Sequence, residues 1–308
     1  MGRRKKGRDI NGILLLDKPV GLTSNQALQR VKRLYNANKA GHTGNLDPLA
    51  DGVLPVCLGE ATKISGFLLD GDKRYLAECR LGVQTATADS DGEVIATKPV
   101  PELNRKQIEK VLARFTGEIE QIPPMYSALK RDGQPLYKLA RQGKTVEREP
   151  RRVTIHSLKL TGIQEECLLL DVLCSKGTYI RTLAEDIGQA LGSCAHLSAL
   201  RRTLASPFDD SSLVQLDTLQ ELAEEGFEEL DHLLLPVDTA LPDWPAVHLT
   251  PEMAFYVQQG QAVLIPHAPT AGLLKLYRAG GEHTGFIGIG RVLDDGRIGP
   301  KRLIYAGN

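Results

Sequence analysis

The sequence has 308 residues, of which 42% are hydrophobic and 25% charged, a composition typical of a globular protein long enough for two domains. Its 38 Lys and Arg residues balance its 38 Asp and Glu residues, so the net charge by itself argues against a nucleic-acid partner. The apolar runs are too short for a membrane span or a signal peptide, since only residues 13–16 follow the basic cluster at residues 1–8, and we expect a cytoplasmic protein.

Strand and helix patterns alternate in the first half of the chain. Short apolar runs predict strands, and apolar residues at helical spacing predict amphipathic helices. In chain order, the predicted elements are a strand at 13–16, a turn at 17–21, a helix that Thr23 or Ser24 caps and that runs to about Tyr35, a loop at 36–52, strands at 53–58 and 73–81 with a short helix near 60–69 between them, and a helix near 104–115.

The second half begins with a stretch that looks like an excursion from the core, at residues 121–152. The elements predicted from there on are a short helix near 136–141, a hairpin of strands at 153–160 and 167–174, a helix near 178–191 that Gly192 ends, a helix near 218–225, a proline-marked boundary at 241–245, and short apolar strands with frequent Gly and Pro. We expect a small β-rich domain after that boundary.

Charge is distributed unevenly along the chain. Residues 130–152 contain eight basic and three acidic residues, whereas residues 209–231 contain nine acidic residues and no Lys or Arg. The first of these segments can attract a polyanion such as RNA, and the second repels it.

The segment at residues 40–52 is a glycine-punctuated loop that displays His42, Asp47 and Asp51. Asp47, followed by a proline, can be a nucleophile, a metal ligand or a turn residue. From these residues alone the turn is the favoured interpretation, and His42 alone is more typical of a structural histidine.

Five segments, taken together, resemble one family, the TruB branch of pseudouridine synthases. They are residues 17–24 (DKPVGLTS), 41–50 (GHTGNLDPLA), 73–75 (KRY), 121–130 (QIPPMYSALK) with Tyr137, and 174–181 (CSKGTYIR). The resemblance implies an α+β fold with a mixed, mainly antiparallel sheet. It also implies a catalytic domain at 1–240 with an RNA-clasping insertion at about 121–152, and a small PUA-like domain at 246–308.

The resemblance further implies an isomerase that needs no cofactor and converts a uridine of RNA to pseudouridine. Asp47 is then the catalytic nucleophile, because a carboxylate can stabilise or bond to C1′ as the glycosidic bond breaks. A carboxylate covered by a base needs a nearby cation to stay ionised, which is the role expected of Arg181. Tyr75, the third expected catalytic residue, is expected to stack on the target uracil and to help remove its C5 proton. Attack at C1′, attack at C6 and a glycal intermediate all stay open, and we favour chemistry at the sugar.

The residues expected to bind substrate are His42, Tyr75, Tyr179 and Leu200, with Lys130, Arg131, Tyr137 and Arg141 of the insertion gripping RNA. Without the resemblance, Leu200 is more typical of an ordinary core residue. The insertion is then more typical of a solvated charged loop. Base extrusion costs a few kcal/mol, which stacking and backbone contacts must offset.

Two positions depart from the family pattern, Asn45 in place of a small residue and Asp51 in place of Ser or Thr. A carboxylate at 51 within ~6 Å of Asp47 would raise its pKa. Neither the five cysteines nor the seven histidines show the spacing of metal ligands.

The expected partner is tRNA, modified at uridine 55 of the T-loop by a monomer that requires neither a guide RNA nor a protein partner. Two alternatives stay open: a non-catalytic tRNA-binding or tRNA-folding chaperone, and the same chemistry on another RNA stem-loop.

Overall fold

A computed structural model of the chain describes residues 7–131, 133–280 and 285–305. Most of the basic N-terminal cluster, Asp132 of the cationic segment and the last three residues of the expected C-terminal domain lie outside the described residues. Within these ranges no helix combines the length and the apolar character that crossing a bilayer requires. The five cysteines are free thiols, and the described residues contain no group of three or more side chains arranged to hold a metal ion.

The described residues form strands throughout the chain. They are β1 (Gly12–Lys18), β2 (Ala40–His42), β3 (Ala50–Leu58), β4 (Lys73–Leu81), β5 (Val83–Thr85), β6 (Val94–Thr97), β7 (Gly117–Gln121), β8 (Lys130–Arg131), β9 (Gln134–Pro135), β10 (Arg151–Gln164), β11 (Cys167–Cys174), β12 (Ala195–Ala205), β13 (Phe208–Asp209), β14 (Val214–Gln215), β15 (Ala246–Leu249), β16 (Leu273–Arg278), β17 (Gly285–Val292) and β18 (Ile298–Leu303).

The helices lie between these strands. They are α1 (Ser24–Leu34), α2 (Ser65–Leu69), α3 (Arg105–Leu112), α4 (Leu136–Ala140), α5 (Ile180–Ala190), α6 (Leu216–Glu225), α7 (Phe227–Asp231) and α8 (Pro251–Gln258), with 3₁₀ turns at Gly59–Lys63, Ala113–Phe115 and Val237–Ala240.

One large sheet forms the centre of the protein. Its strand order is β14-β1-β3-β12-β4-β11-β10-β7, with β2 paired to β3 and β13 paired to β12. The β1–β14 and β3–β12 pairs are parallel, and the other pairs are antiparallel. The expected α+β fold with a mixed, mainly antiparallel sheet is therefore confirmed.

Strand β4 shows why the sheet has one packed face. Its residues are alternately buried and exposed from Lys73 to Leu81, as expected for a strand with one side against a core. The buried side contributes Tyr75, Ala77 and Cys79 to a cluster that also contains apolar residues of α1, α3, α5 and α6. Helix α1 starts with a capping box, in which the side chain of Thr23 accepts from the backbone N–H of Gln26.

The structure differs from the predicted elements at several places, and strands β5, β6 and β7 and helix α7 are among the elements that were not predicted. The predicted loop at 36–52 contains β2 and the first residues of β3, and α8 was not predicted. Strand β12 was also not predicted, although it lies in the middle of the sheet between β3 and β4. Two register shifts along its pairing with β4 interrupt the alternation of buried and exposed residues that identifies a strand.

The C-terminal region has its own sheet and core. Strands β15-β16-β17-β18 form a four-stranded sheet, and a separate apolar cluster includes Leu249, Leu274 and Ile298. This region packs against the segment that follows β3. The side chain of Lys63 donates to the carbonyl of Leu303 at 2.8 Å, and Phe67 packs edge-on against Trp244, with a ring separation of 5.1 Å.

Candidate active site

Asp47 lies in the loop between β2 and β3, and the first turn of α1 holds this loop. The hydroxyl of Ser24 accepts from the backbone N–H of Leu46 at 2.7 Å and donates to the carbonyl of Leu46 at 3.2 Å. The N–H of Gly21 donates to the carbonyl of Pro48 at 2.8 Å. Both neighbours of Asp47 are therefore tied to residues 21–24, so the carboxylate is displayed from a fixed backbone.

Arg181, in the first turn of α5, binds Asp47 through two nitrogens. Nε lies 2.9 Å from Oδ2 of the carboxylate, and Nη2 donates to Oδ1 at 3.2 Å. The Arg181 side chain is only 5% exposed, whereas 39% of the Asp47 side chain is exposed. The arginine therefore fixes the carboxylate from behind and leaves its outer side open to a ligand.

Three further groups occupy the remaining donors of Arg181. Nη2 donates to the carbonyl of Tyr126 at 2.7 Å, and Nη1 donates to the carbonyl of Thr87 at 2.9 Å. Nη1 also lies 3.3 Å from Oδ2 of Asp89, whose side chain is only 6% exposed. The guanidinium thus links the loop that carries Asp47, the residues after β5 and the beginning of the insertion.

Asp89 is a site residue that sequence reasoning missed. Its carboxylate accepts from the hydroxyl of Thr87 and, at 3.2 Å, from the N–H of Asp91, so in the sequence it is indistinguishable from a turn aspartate. The one local signal is the polar run at residues 85–92. The positive charge of Arg181 therefore lies between two negative charges, those of Asp89 and Asp47.

The pKa of Asp47 reflects these charges. Burial raises the pKa of the carboxyl above its ordinary value of 3.8, Arg181 opposes the rise, and the charge of Asp89 adds to it. The arginine thus favours the ionised form that a nucleophile needs, and Asp89 moderates that effect.

Two tyrosines lie close enough to Asp47 for its charge to affect them. Tyr75 is 9% exposed on β4, and burial raises the pKa of its phenol. Tyr179 precedes α5, and burial raises the pKa of its phenol as well. The side chain of Gln121 fixes the backbone of Tyr179, since it accepts from the N–H at 3.0 Å and donates to the carbonyl at 3.2 Å. Both phenols are neutral at neutral pH.

His42 and Leu200 lie on strands next to the loop. His42 is on β2, and its buried Nδ1 has no partner within the described ranges. Burial lowers the pKa of this imidazole and nearby Arg202 lowers it further, so the ring is neutral. Leu200 on β12 lines a groove of about 390 Å³ together with Leu49 and Leu76. The residues that line this groove do not include Asp47, Tyr75 or Arg181.

The four RNA-binding candidates lie on the insertion. Lys130, Arg131 and Arg141 are exposed, and Arg141 lies over the ring of Tyr137 at 5.7 Å. No contact between these four residues and Asp47 is present in the described part of the chain. The insertion reaches the site through other residues, namely Gln121 and the carbonyl of Tyr126.

Two further charged residues, Lys18 and Asp51, lie near the loop that carries Asp47. Lys18 is fully buried and donates to the carbonyls of Pro19 and Leu22 at 2.8 and 2.6 Å. Burial lowers its pKa to about 8, and Asp51 and Asp47 oppose this shift. Asp51 forms an ion pair with Arg201 at 3.0 Å. The charges that shift the pKa of Asp47 are those of Arg181, Asp89 and Lys18.

Solved structures with the same fold include chains of two assemblies. A chain of the Cbf5-Nop10-Gar1 complex matches with a TM-score of 0.71 and 26% identity, covering 95% of this chain and 84% of that one. A chain of an H/ACA ribonucleoprotein bound to a substrate RNA containing 2′-deoxyuridine matches with a TM-score of 0.71 and 24% identity, covering 96% and 85%. This chain therefore shares the fold of both of these chains.

Family models account for nearly the whole chain. Residues 32–180 match the N-terminal domain of the TruB family of pseudouridylate synthases, residues 181–242 match the tRNA pseudouridylate synthase B C-terminal domain, and residues 245–304 match the C-terminal part of pseudouridine synthase II TruB. Similar curated proteins, both named tRNA pseudouridine synthase B, come from Nitrosococcus oceani, with 59% identity over 99% of this chain and 98% of that protein, and from Coxiella burnetii, with 53% identity over 96% of each. The chain belongs to the TruB family of pseudouridylate synthases, which are isomerases.

Proposed function

We propose that this protein converts uridine 55 in the T-loop of tRNA to pseudouridine, with Asp47 as the nucleophile. The observation that carries the proposal is the Asp47 carboxylate, which is held by two nitrogens of a buried arginine yet open on its outer side. The relatives named tRNA pseudouridine synthase B, which match over nearly their full length, support tRNA as the substrate.

The proposed reaction takes place at the sugar. The carboxylate of Asp47 bonds to C1′ of the extruded uridine while the N1–C1′ bond breaks, and that electron pair leaves with the uracil. The uracil turns until C5 faces C1′, the C5–C1′ bond forms, and Asp47 is released as a carboxylate. Loss of the C5 proton restores the aromatic base, and N1 takes up a proton from solvent to complete pseudouridine. Attack at C6 and a glycal intermediate are the alternative routes.

The side chains around Asp47 support separate roles. Arg181 keeps Asp47 ionised and oriented before attack. Because the phenol of Tyr75 is neutral, it is a poor proton acceptor, and its role is to stack on the uracil. We assign the C5 proton to the carboxylate of Asp47, which is released next to C1′ in the preceding step.

The remaining candidates bind RNA. His42, Tyr179 and Leu200 receive the extruded nucleotide, a role that the neutral imidazole of His42 supports. Lys130, Arg131, Tyr137 and Arg141 hold the RNA backbone and its unpaired bases, a role that the exposure of the three cations supports.

The proposed organisation is a catalytic domain at 1–240 with its insertion at 121–152, followed by a PUA-like RNA-binding domain at 246–308. The separate sheet and core after residue 245 support this boundary. We further propose that the protein acts as a cytoplasmic monomer without a guide RNA or a protein partner.

Tritium release from unmodified tRNA that carries 5-tritiated uridine tests the reaction, because forming the C5–C1′ bond expels that tritium. Wild type is expected to release about one equivalent from the transcript, and Asp47→Asn none while still binding tRNA. A transcript with cytidine at position 55 is expected to release none, and release from it would refute the assigned position. Binding without release by wild type would favour the chaperone, and modification mapping on total RNA would reveal a different stem-loop.

A further inference from the structure

Arg202 is the largest of the fully buried side chains in the described residues, with 1% of its surface exposed. It lies on β12, where its backbone pairs with Gly52 of β3 on one side and with Tyr75 of β4 on the other. Arg202 therefore lies between β3, which follows the Asp47 loop, and β4, which carries Tyr75.

The guanidinium of Arg202 donates hydrogen bonds to the backbone on both sides of Asp47. Nε donates to the carbonyl of Val53 at 2.7 Å, and Nη1 donates to the carbonyl of Asn45 at 3.4 Å. Gly44 is so near that a Cβ at its position would lie 3.7 Å from Nη1. Because Asn45 precedes Asp47 and Val53 follows it, one side chain bridges both ends of the catalytic loop.

Stability alone does not explain an arginine at this position. Within the described residues no carboxylate forms an ion pair with Arg202, and its Nη2 has no hydrogen-bond partner. Burying an unpaired charge is unfavourable, and an apolar side chain of similar volume often gives equal or greater stability. A buried cation of this kind points to a function.

Tyr75 provides a second link between Arg202 and the site. Burial raises the pKa of the Tyr75 phenol, and the adjacent guanidinium of Arg202 opposes this rise. Arg202 therefore adjoins both the loop that carries the nucleophile and the aromatic residue proposed to stack on the base.

We propose that Arg202 is a positioning residue for the isomerisation, whose planar guanidinium fixes the distance between the Asp47 loop and the Tyr75 ring. This inference rests on the proposed function. Catalysis by a carboxylate and a stacking ring depends on their spacing, and a misplacement of about 1 Å can reduce the rate about 100-fold. Arg202 lies behind these residues, so tRNA affinity does not depend on it.

The test compares Arg202→Met with Arg74→Met in single-turnover tritium release, with each enzyme in saturating excess over tRNA. Arg74 is a matched control because it precedes Tyr75 on β4, lies on the opposite face and is 51% exposed in its ion pair with Asp171. We expect Arg202→Met to react about 100-fold more slowly. Its melting temperature should stay within about 4 °C of wild type, and its dissociation constant for tRNA within about threefold. Arg74→Met should react at close to the wild-type rate.

Arg202→Lys separates charge from geometry, because a lysine keeps the cation but cannot reach both carbonyls with a rigid fork. We expect it to fold and to react about tenfold more slowly than wild type. A wild-type rate in either Arg202 variant would overturn the proposal. A loss of rate that is matched by an equal loss of tRNA affinity, or accompanied by a fall in melting temperature of more than about 4 °C, would also overturn it. Failure of both variants to fold would overturn it as well. Absence of release by wild type itself would instead refute the proposed function.

Discussion

The recess around Asp47 and the cationic insertion at residues 121–152 differ in how deeply their charged side chains are buried and in how firmly these side chains are held. Asp47 is held by Arg181 and by a loop whose backbone is bonded to α1, and Arg181 and Asp89 are nearly buried. In the insertion, β8 and β9 are two-residue strands, and Lys130, Arg131 and Arg141 are exposed. The contrast matches two tasks, since chemistry needs groups fixed before the substrate arrives, whereas attraction of a polyanion needs accessible charge.

The two regions are nevertheless joined at the base of the insertion. Tyr126 accepts a hydrogen bond from Arg181 through its carbonyl, and the side chain of Gln121 holds the backbone of Tyr179. Both links involve residues at the edge of the insertion and not its exposed cations. Substitutions of the cations should therefore change affinity without changing the rate, and substitutions in the recess should do the opposite.

The largest effect after loss of Asp47 itself is expected for Arg181→Met. This change leaves both Asp47 and the buried Asp89 without a positive charge beside them, so we expect single-turnover rates to fall about 1,000-fold with enzyme in saturating excess over tRNA. Arg181→Lys keeps a charge but loses the two-nitrogen contact, and we expect a loss of about 100-fold. Filter binding should show unchanged tRNA affinity for both. A large loss of affinity would mean that the recess also grips the RNA.

An effect of intermediate size is expected when Lys130, Arg131 and Arg141 are all changed to Gln. Because each cation releases counter-ions when it neutralises a phosphate, affinity should fall about 30-fold, and the slope of log K against log salt should become shallower by about 2. The rate at saturating tRNA should not change. The matched control changes the exposed cations Lys106, Lys110 and Arg114 of α3 and the turn after it to Gln. An equal loss of affinity there would show that general charge, and not the insertion, attracts tRNA.

Local sequence patterns predicted the sheet better than they predicted the site. The bounds of β4 and β11 agree with the predicted strands at 73–81 and 167–174, because both strands combine β-forming residues with flanking turns. The pairing of Asp47 with Arg181 was expected from the family resemblance. Asp89 and Arg202 were not, because their roles depend on neighbours far away in the chain, such as Asn45, which is 157 residues from Arg202.

The smallest effects, and the sharpest comparison within the recess, come from Asp89→Asn and Asp51→Asn. The proposed reaction needs ionised Asp47, so the single-turnover rate is expected to fall as the pH drops through the pKa of that carboxyl. The charge of Asp89 raises this pKa, so Asp89→Asn should lower it and move the acid limb of the pH–rate profile to lower pH. Its maximal rate should fall about tenfold, because the carboxylate that orients Arg181 is lost.

Asp51→Asn is the matched control, since Asp51 is bound to Arg201 and its charge is not among those that shift the pKa of Asp47. Its acid limb should coincide with that of wild type, and its rate should change less than about threefold. An equal shift of the limb in both variants would mean that Asp51 also acts on the nucleophile. An unmoved limb in Asp89→Asn would mean that a group other than Asp47 sets the acid dependence of the reaction.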